Sequence, residues 1–208
     1  MLNIAVFGSG RGSNFESILN AMESGKLPGI RIACVVSNNS AAGILDIARS
    51  RAIPALHLSR KQFASDVEFA DRLLSLLENH GTGLILLAGY MKLIPPPVIA
   101  RYRNRILNIH PALLPKFGGA GMYGIRVHEA VIAAGEKESG ATIHLVDEEY
   151  DRGRILLQKR VPVLPGDTPE SLAARVLHIE HEIYPEALRQ MAEGAILLPA
   201  AAAENIHA

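Results

Sequence analysis

The sequence predicts an α/β fold: a doubly wound, mostly parallel sheet of Rossmann-like layout, with helices on its faces and a mixed C-terminal part. Three observations carry this. Apolar runs of strand length alternate with longer segments of helical period, the pattern of a parallel sheet covered by helices. A glycine-rich turn, Gly8-Ser9-Gly10, closes the first apolar run just before the first helical segment. Two late strands are separated only by Tyr150-Asp151-Arg152-Gly153, a hairpin-like connection that parallel pairing does not allow.

In chain order, strands are expected near 2–7, 31–37, 54–58, 83–88, 106–109, 141–147 and 154–163. Helices are expected near 13–24, 42–51, 62–79, 96–102, 126–134 and 169–193. The opening Met1-Leu2-Asn3-Ile4-Ala5-Val6-Phe7 reads as the first strand. It lacks the basic start and small-residue cleavage site of a signal peptide and is too short to span a bilayer, so a cytoplasmic protein is expected. Pro95-Pro96-Pro97 separates a strand from the helix after it, and Pro165-Gly166-Asp167-Thr168-Pro169 supplies a cap and a first-turn proline for the last helix. Residues 1–195 are expected to form a single domain, and 196–208 a C-terminal tail whose alanine run at 200–203 frays.

Apolar residues make up 49% of the chain and charged residues 20%, ordinary for a globular protein with a sizeable core. Lysine plus arginine equals aspartate plus glutamate, 21 against 21, so there is no general basic field for a nucleic acid or an anionic membrane. The expected partners are small molecules, and any anion site must be local. The single cysteine, Cys34, lies inside the apolar run 30–36, where a buried structural thiol is expected rather than a nucleophile.

Gly8-Ser9-Gly10-Arg11-Gly12-Ser13-Asn14 lies between the first strand and the first helix. Small residues there allow close backbone approach, and a helix N-terminus offers free N–H groups to a phosphate. A tight turn capped by Ser13 or Asn14, with no ligand, fits these residues equally well. A dinucleotide fingerprint would need glycine at position 13 and an acidic residue after the second strand, where Ser37-Asn38-Asn39 stands. A P-loop would need Gly-Lys-Ser/Thr, which is missing here.

Open α/β sheets bind ligands beyond the carboxyl ends of their strands, and the run 105–109 delivers Asn108 and His110 there. Two residues apart on an extended segment, they face the same side. When an amine attacks an amide-like carbonyl, negative charge develops on oxygen and protons must move between nitrogens. Asn108 can donate to that oxygen, and His110 can carry protons near neutral pH. Taken alone, Asn-x-His also describes a structural histidine after a strand. A carboxylate that orients the imidazole would complete the set. Asp147, Glu148, Glu149 and Asp151 lie in the right region; Asp151 is selected because the Asp-Arg-Gly turn presents it between two strands. His178 and His181 sit three apart on the last helix, but no zinc-type ligand spacing accompanies them, and His144 reads as a supporting residue beneath the site.

The ordered set Gly10-Arg11-Gly12-Ser13-Asn14, Leu87-Ala88-Gly89-Tyr90-Met91-Lys92, Leu107-Asn108-Ile109-His110-Pro111-Ala112-Leu113-Leu114-Pro115, His144-Leu145-Val146 and Asp151-Arg152-Gly153 closely resembles the phosphoribosylglycinamide formyltransferase family. The match runs over about residues 2–195, and its Asn-Ile-His-Pro-x-Leu-Leu-Pro segment is specific to the wider formyltransferase superfamily. The resemblance implies transfer of a formyl group from 10-formyltetrahydrofolate, as co-substrate, to the amine of 5-phosphoribosylglycinamide in purine biosynthesis, with no metal required. It implies Asn108, His110 and Asp151 as the catalytic trio. It also implies that Gly12, Ser13, Asn14 and Glu180 hold the phosphorylated amine, and that Met91, Lys92, Leu93 and Ile94, with Asn108, line the folate site.

Two departures from relatives stand out. Asp66 and Val67 occupy the place where some carry a ligand-serving arginine, and Leu177 stands where a polar side chain is common, so those contacts are not carried over. Phe117-Gly118-Gly119-Ala120-Gly121-Met122-Tyr123-Gly124 resembles a mobile loop closing over the site, with Ala120 where some relatives have lysine. Methionyl-tRNA formyltransferases and formyltetrahydrofolate hydrolases share the Asn-x-His and Asp elements but normally bring an additional domain, for which 208 residues leave no room. A nucleotide-binding oxidoreductase or ligand sensor built on the glycine turn is the competing class.

Overall fold

The computed structural model describes residues 1–199; the alanine run at 200–203 lies outside the described residues. Within them, one sheet contains β1 (Leu2–Phe7), β2 (Ile30–Ser37), β3 (Ala55–His57), β4 (Leu84–Leu87), β5 (Ile106–His110), β6 (Glu138–Leu145) and β7 (Ile155–Pro162). The helices are α1 (Ser13–Glu23), α2 (Gly43–Ser50), α3 (Asp66–Asn79), α4 (Pro96–Arg101), α5 (Ile125–Ala133) and α6 (Pro169–Ala192). Strand order is β3-β2-β1-β4-β5-β6-β7. Pairing is parallel from β3 across to β5 and antiparallel at β5–β6 and β6–β7. The chain therefore winds outward from β1 in both directions, and the β1–β4 boundary is the switch point at which such sheets bind ligands.

Alternation along β1 shows how both faces are buried. Ile4 and Val6 join a core with Phe15 and Ile18 of α1, Ile44 of α2, Val131 of α5 and Tyr184 of α6. Ala5 and Phe7 point the other way, into a second core with Phe69 and Leu73 of α3 and Val98 of α4. Each such fully buried large side chain contributes about 1.5–3 kcal/mol relative to exposure, so a strand with no polar face is stable only between two helical layers. Cys34 is buried in the second core, and its thiol is pushed up to about 12 by burial, which makes it inert as a nucleophile.

Most boundaries fall within two residues of expectation, and three differences have a visible cause. The third helix starts at Asp66 instead of 62. The Ser65 hydroxyl accepts from the Glu68 N–H at 3.1 Å and the Glu68 carboxylate accepts from the Ala64 N–H at 2.9 Å, so the cap falls at Ser65. Residues Arg60–Gln62 form a separate 3-10 turn. β6 begins at Glu138, earlier than the apolar pattern at 141, because Glu138 and Ser139 still pair with Pro162 and Val161. β5 runs on to include His110, which pairs across to Thr142. Helix α6 starts as expected, with the Thr168 side chain accepting from the Ser171 N–H and proline at its first turn. No described helix is long and apolar enough to cross a membrane.

Candidate active site

The carboxyl ends of β1, β4 and β5 lie side by side, and each leads into a segment singled out above: the glycine turn, Met91–Ile94, and His110-Pro111. After β1 the backbone passes through Gly12 at φ 89°, the left-handed cap of α1. A β-carbon there would lie 2.8 Å from the Ile44 Cα, so glycine is required by conformation and by contact with α2. The cap position of α1 is Gly12, which has no side chain to satisfy the helix start, so the first N–H groups of α1 keep their capacity for an anion.

Asn14, 7% exposed, turns inward instead and donates from Nδ2 to Glu180 Oε2 at 2.6 Å across the α1–α6 contact. The Asn14 Oδ1 is buried with no partner. Burial raises the Glu180 carboxyl above its ordinary range, with the Asn14 N–H acting in the opposite direction. Glu180 is therefore no solvated helix charge, whereas His178 on the same helix is exposed and pairs with Glu182 at 3.1 Å.

Antiparallel register assembles the second half. Asn108 lies opposite His144, and His110 opposite Thr142, on the β5–β6 ladder. The His144 Nδ1 is 2.8 Å from the Leu145 carbonyl, which can only accept, so this nitrogen carries the proton. In the neutral ring Nε2 then accepts from Asn108 Nδ2 at 3.1 Å. That bond fixes which end of the Asn108 amide is the donor and leaves its second N–H for another acceptor. By the same argument His110 Nε2, 2.7 Å from the Phe117 carbonyl, is protonated, and Nδ1 faces Asp151 Oδ2 at 3.5 Å.

Asp151 is held in a left-handed conformation, φ 54°, and accepts from the Gly119 N–H at 2.9 Å. Its other oxygen lies 3.5 Å from His144 Nε2. Burial acts to raise this carboxyl, but the His144 and His110 rings in their protonated forms, together with the Gly119 N–H, draw it below its ordinary value, so it is ionised at neutral pH. Burial lowers the His110 pKa more than the Asp151 carboxylate raises it, and His110 is neutral at pH 7. Asn108, His144, Asp151 and His110 form one connected cluster.

On the β4 side, Met91 and Leu93 are 51% and 62% exposed, and Lys92 is exposed, so these side chains are available to a ligand. Ile94 is different: it is 4% exposed and packed in the second core, so its side chain is committed to the fold. Asp66 pairs with Arg60, and Val67 is exposed.

Several supporting groups escaped the sequence reading. Thr142 donates to the Ala112 carbonyl at 2.6 Å and accepts from the Leu114 N–H at 3.2 Å and from Gln158 Nε2 at 2.8 Å, so two strands hold the turn after His110. Phe117 adopts φ 57°, unusual for a bulky residue, while its carbonyl accepts from His110. Gly118 is small for a contact reason: a β-carbon there would lie 2.5 Å from Leu114 Cδ2 and 3.0 Å from the Asp151 Cβ. The register of Thr142 two residues before His144 was the one signal available in the sequence.

Residues 2–188 match the formyl transferase family. The chain is 47% identical over 194 residues to the chloroplastic phosphoribosylglycinamide formyltransferase of Arabidopsis thaliana, covering 93% of this chain and 66% of that protein. It spans just under two thirds of the length of that plant relative and of its Vigna unguiculata counterpart. It is 41% identical to the phosphoribosylglycinamide formyltransferase of Haemophilus influenzae, covering 95% of this chain and 91% of that one. The crystal structure of glycinamide ribonucleotide transformylase 1 from Symbiobacterium toebii superposes with a TM-score of 0.88 at 40% identity, covering 97% of this chain and 92% of that one.

Proposed function

The chain belongs to the formyl transferase family, and from that premise we propose that it moves the formyl group of 10-formyltetrahydrofolate onto the amine of 5-phosphoribosylglycinamide, a step of purine (IMP) biosynthesis. One observation carries this reading: His110, held through Nε2 by the Phe117 carbonyl, presents Nδ1 toward the Asp151 carboxyl at 3.5 Å, on the same cluster as Asn108. The phosphate belongs at Gly12 and Ser13, beside the buried Asn14–Glu180 pair. Met91, Lys92 and Leu93 offer side chains to the folate, Ile94 its backbone, and Asn108 closes the site between the two substrates.

In this mechanism the amine nitrogen attacks the formyl carbon, and charge develops on the formyl oxygen. The free N–H of Asn108 donates to that oxygen. His110 takes the proton lost by the amine and delivers it to the folate nitrogen as the carbon–nitrogen bond to the folate breaks, so the ring ends neutral. Asp151, with its carboxylate 3.5 Å from Nδ1, stabilises the transient imidazolium by its charge. No covalent bond to the protein forms in this scheme.

The test is His110→Ala, assayed by folate product formation with both substrates present and by circular dichroism. The expected result is a loss of turnover of about 10²–10⁴-fold with the fold retained. Undiminished turnover in the folded variant removes His110 from the mechanism.

A further inference from the structure

The hydroxyl of Ser9 lies between the two halves of the site and touches both. It accepts from the Met91 N–H at 2.8 Å and donates to Asn38 Oδ1 at 2.5 Å. A hydroxyl has one proton, so the chain Met91 N–H to Ser9 O–H to Asn38 has a single direction, and each bond polarises the next. The backbone repeats the connection: the Ser9 N–H donates to the Gly89 carbonyl at 3.0 Å, and the Gly8 N–H to the Val36 carbonyl at 3.1 Å. The glycine turn is thereby sewn to the exits of β4 and β2 at once.

From this geometry we infer that Ser9 is a positioning residue that sets the start of Met91–Ile94 against the glycine turn, and so determines how well the donor substrate seats beside the acceptor. The inference rests on the proposed assignment of Met91–Ile94 to the folate. Gly89 and Met91 lie on an exposed connection, and Met91 begins a segment with no regular secondary structure before α4. The Ser9 hydroxyl is the side-chain anchor of the Met91 N–H. Only two residues, Gly10 and Arg11, separate Ser9 from the Gly12 cap, so the hydroxyl binds the donor segment to the rigid end of the acceptor site. Asn38 acts one step back, by aiming the Ser9 proton away from Met91 and leaving the lone pair to it.

Steady-state kinetics with each substrate varied in turn test this on the parent, Ser9→Ala, Ser9→Thr, Asn38→Ala and the double Ser9→Ala/Asn38→Ala protein. Ser9→Ala is expected to raise the KM for the formyl donor by roughly tenfold, the scale of one lost hydrogen bond. The acceptor KM and the melting temperature should stay near parental values. Ser9→Thr, which keeps the hydroxyl, should restore the donor KM to within about twofold. Asn38→Ala should raise it less, and the double variant should be no worse than Ser9→Ala, because both act through one chain. An unchanged donor KM in Ser9→Ala, or equal rises in both KM values with a lower melting temperature, overturns the inference while the formyl-transfer reading stands. A parent protein without formyl transfer overturns both.

Discussion

Replacing Asp151 with asparagine keeps the shape of the turn and the acceptor for the Gly119 N–H but removes the charge that faces His110. The magnitude follows from the geometry. At the 3.5 Å between Asp151 Oδ2 and His110 Nδ1, the attraction between a carboxylate and an imidazolium is about 4.7 kcal/mol at an effective dielectric of ~20 and about 1.2 kcal/mol at ~80. The Asp151 side chain is 11% exposed, so the value lies between these limits. The loss lowers the proton affinity of His110. Burial already depresses the His110 pKa, and Asp151 opposes that depression. The shift in Asp151→Asn therefore adds to the effect of burial. kcat/KM for the phosphorylated amine, measured against pH with saturating formyl donor, should show its acidic limb moved to lower pH. Its plateau should fall about 100-fold, because a weaker base accepts the amine proton less well. An acidic limb that stays in place, or moves up, refutes the assignment of Asp151 as the charge supporting His110.

Further outcomes follow from other contacts. Gly118→Ala puts a β-carbon against the buried Leu114 side chain and the Asp151 Cβ; activity should drop by about tenfold or more, and the melting temperature should fall as well, by an overpacking cost of about 1–3 kcal/mol. Glu180→Gln should raise the KM for the phosphorylated amine by roughly tenfold, as expected when a hydrogen bond donated to a carboxylate is weakened. The same variant has a pH signature: a carboxyl whose folded pKa is raised gives its full stability below its unfolded pKa and loses it as pH rises through the folded value. Glu180→Gln should therefore melt above the parent at about pH 8, and the gap should close near pH 4, as followed by thermal denaturation. The fully buried Tyr184 hydroxyl shares its one proton between the Leu87 and Leu107 carbonyls, at 3.1 and 3.3 Å; Tyr184→Phe should cost about 1–2 kcal/mol in urea denaturation.

The legible parts of this protein in its sequence were those written in periodicity and in side-chain type. Apolar runs such as 30–36 located the strands, and the turn Tyr150-Asp151-Arg152-Gly153 announced the antiparallel end of the sheet. Asn108 and His110 were legible as suitable chemistry, but the Asn-x-His pattern became specific only through its flanking motifs. What stayed hidden was of another kind. The Phe117 carbonyl and the Gly119 N–H, which hold His110 and Asp151, are backbone groups that every residue carries, so only conformation reveals them. Thr142 and Gln158 look like ordinary polar strand positions until the register shows them facing the turn after His110. Ile94 looked like its neighbours Met91–Leu93, yet packing sends its side chain to the core. Gly118 looked like a loop hinge, and it is a contact.

The central claim is that the cluster of Asn108, His110 and Asp151 passes a formyl group directly between two bound small molecules. The most direct test supplies 10-formyltetrahydrofolate carrying an isotopic label in the formyl group, with and without 5-phosphoribosylglycinamide, and follows the label by mass spectrometry. The label should appear on the glycinamide nitrogen in step with folate release, and neither product should form when the amine is left out. Label recovered as free formate at the same rate without the amine would contradict the account.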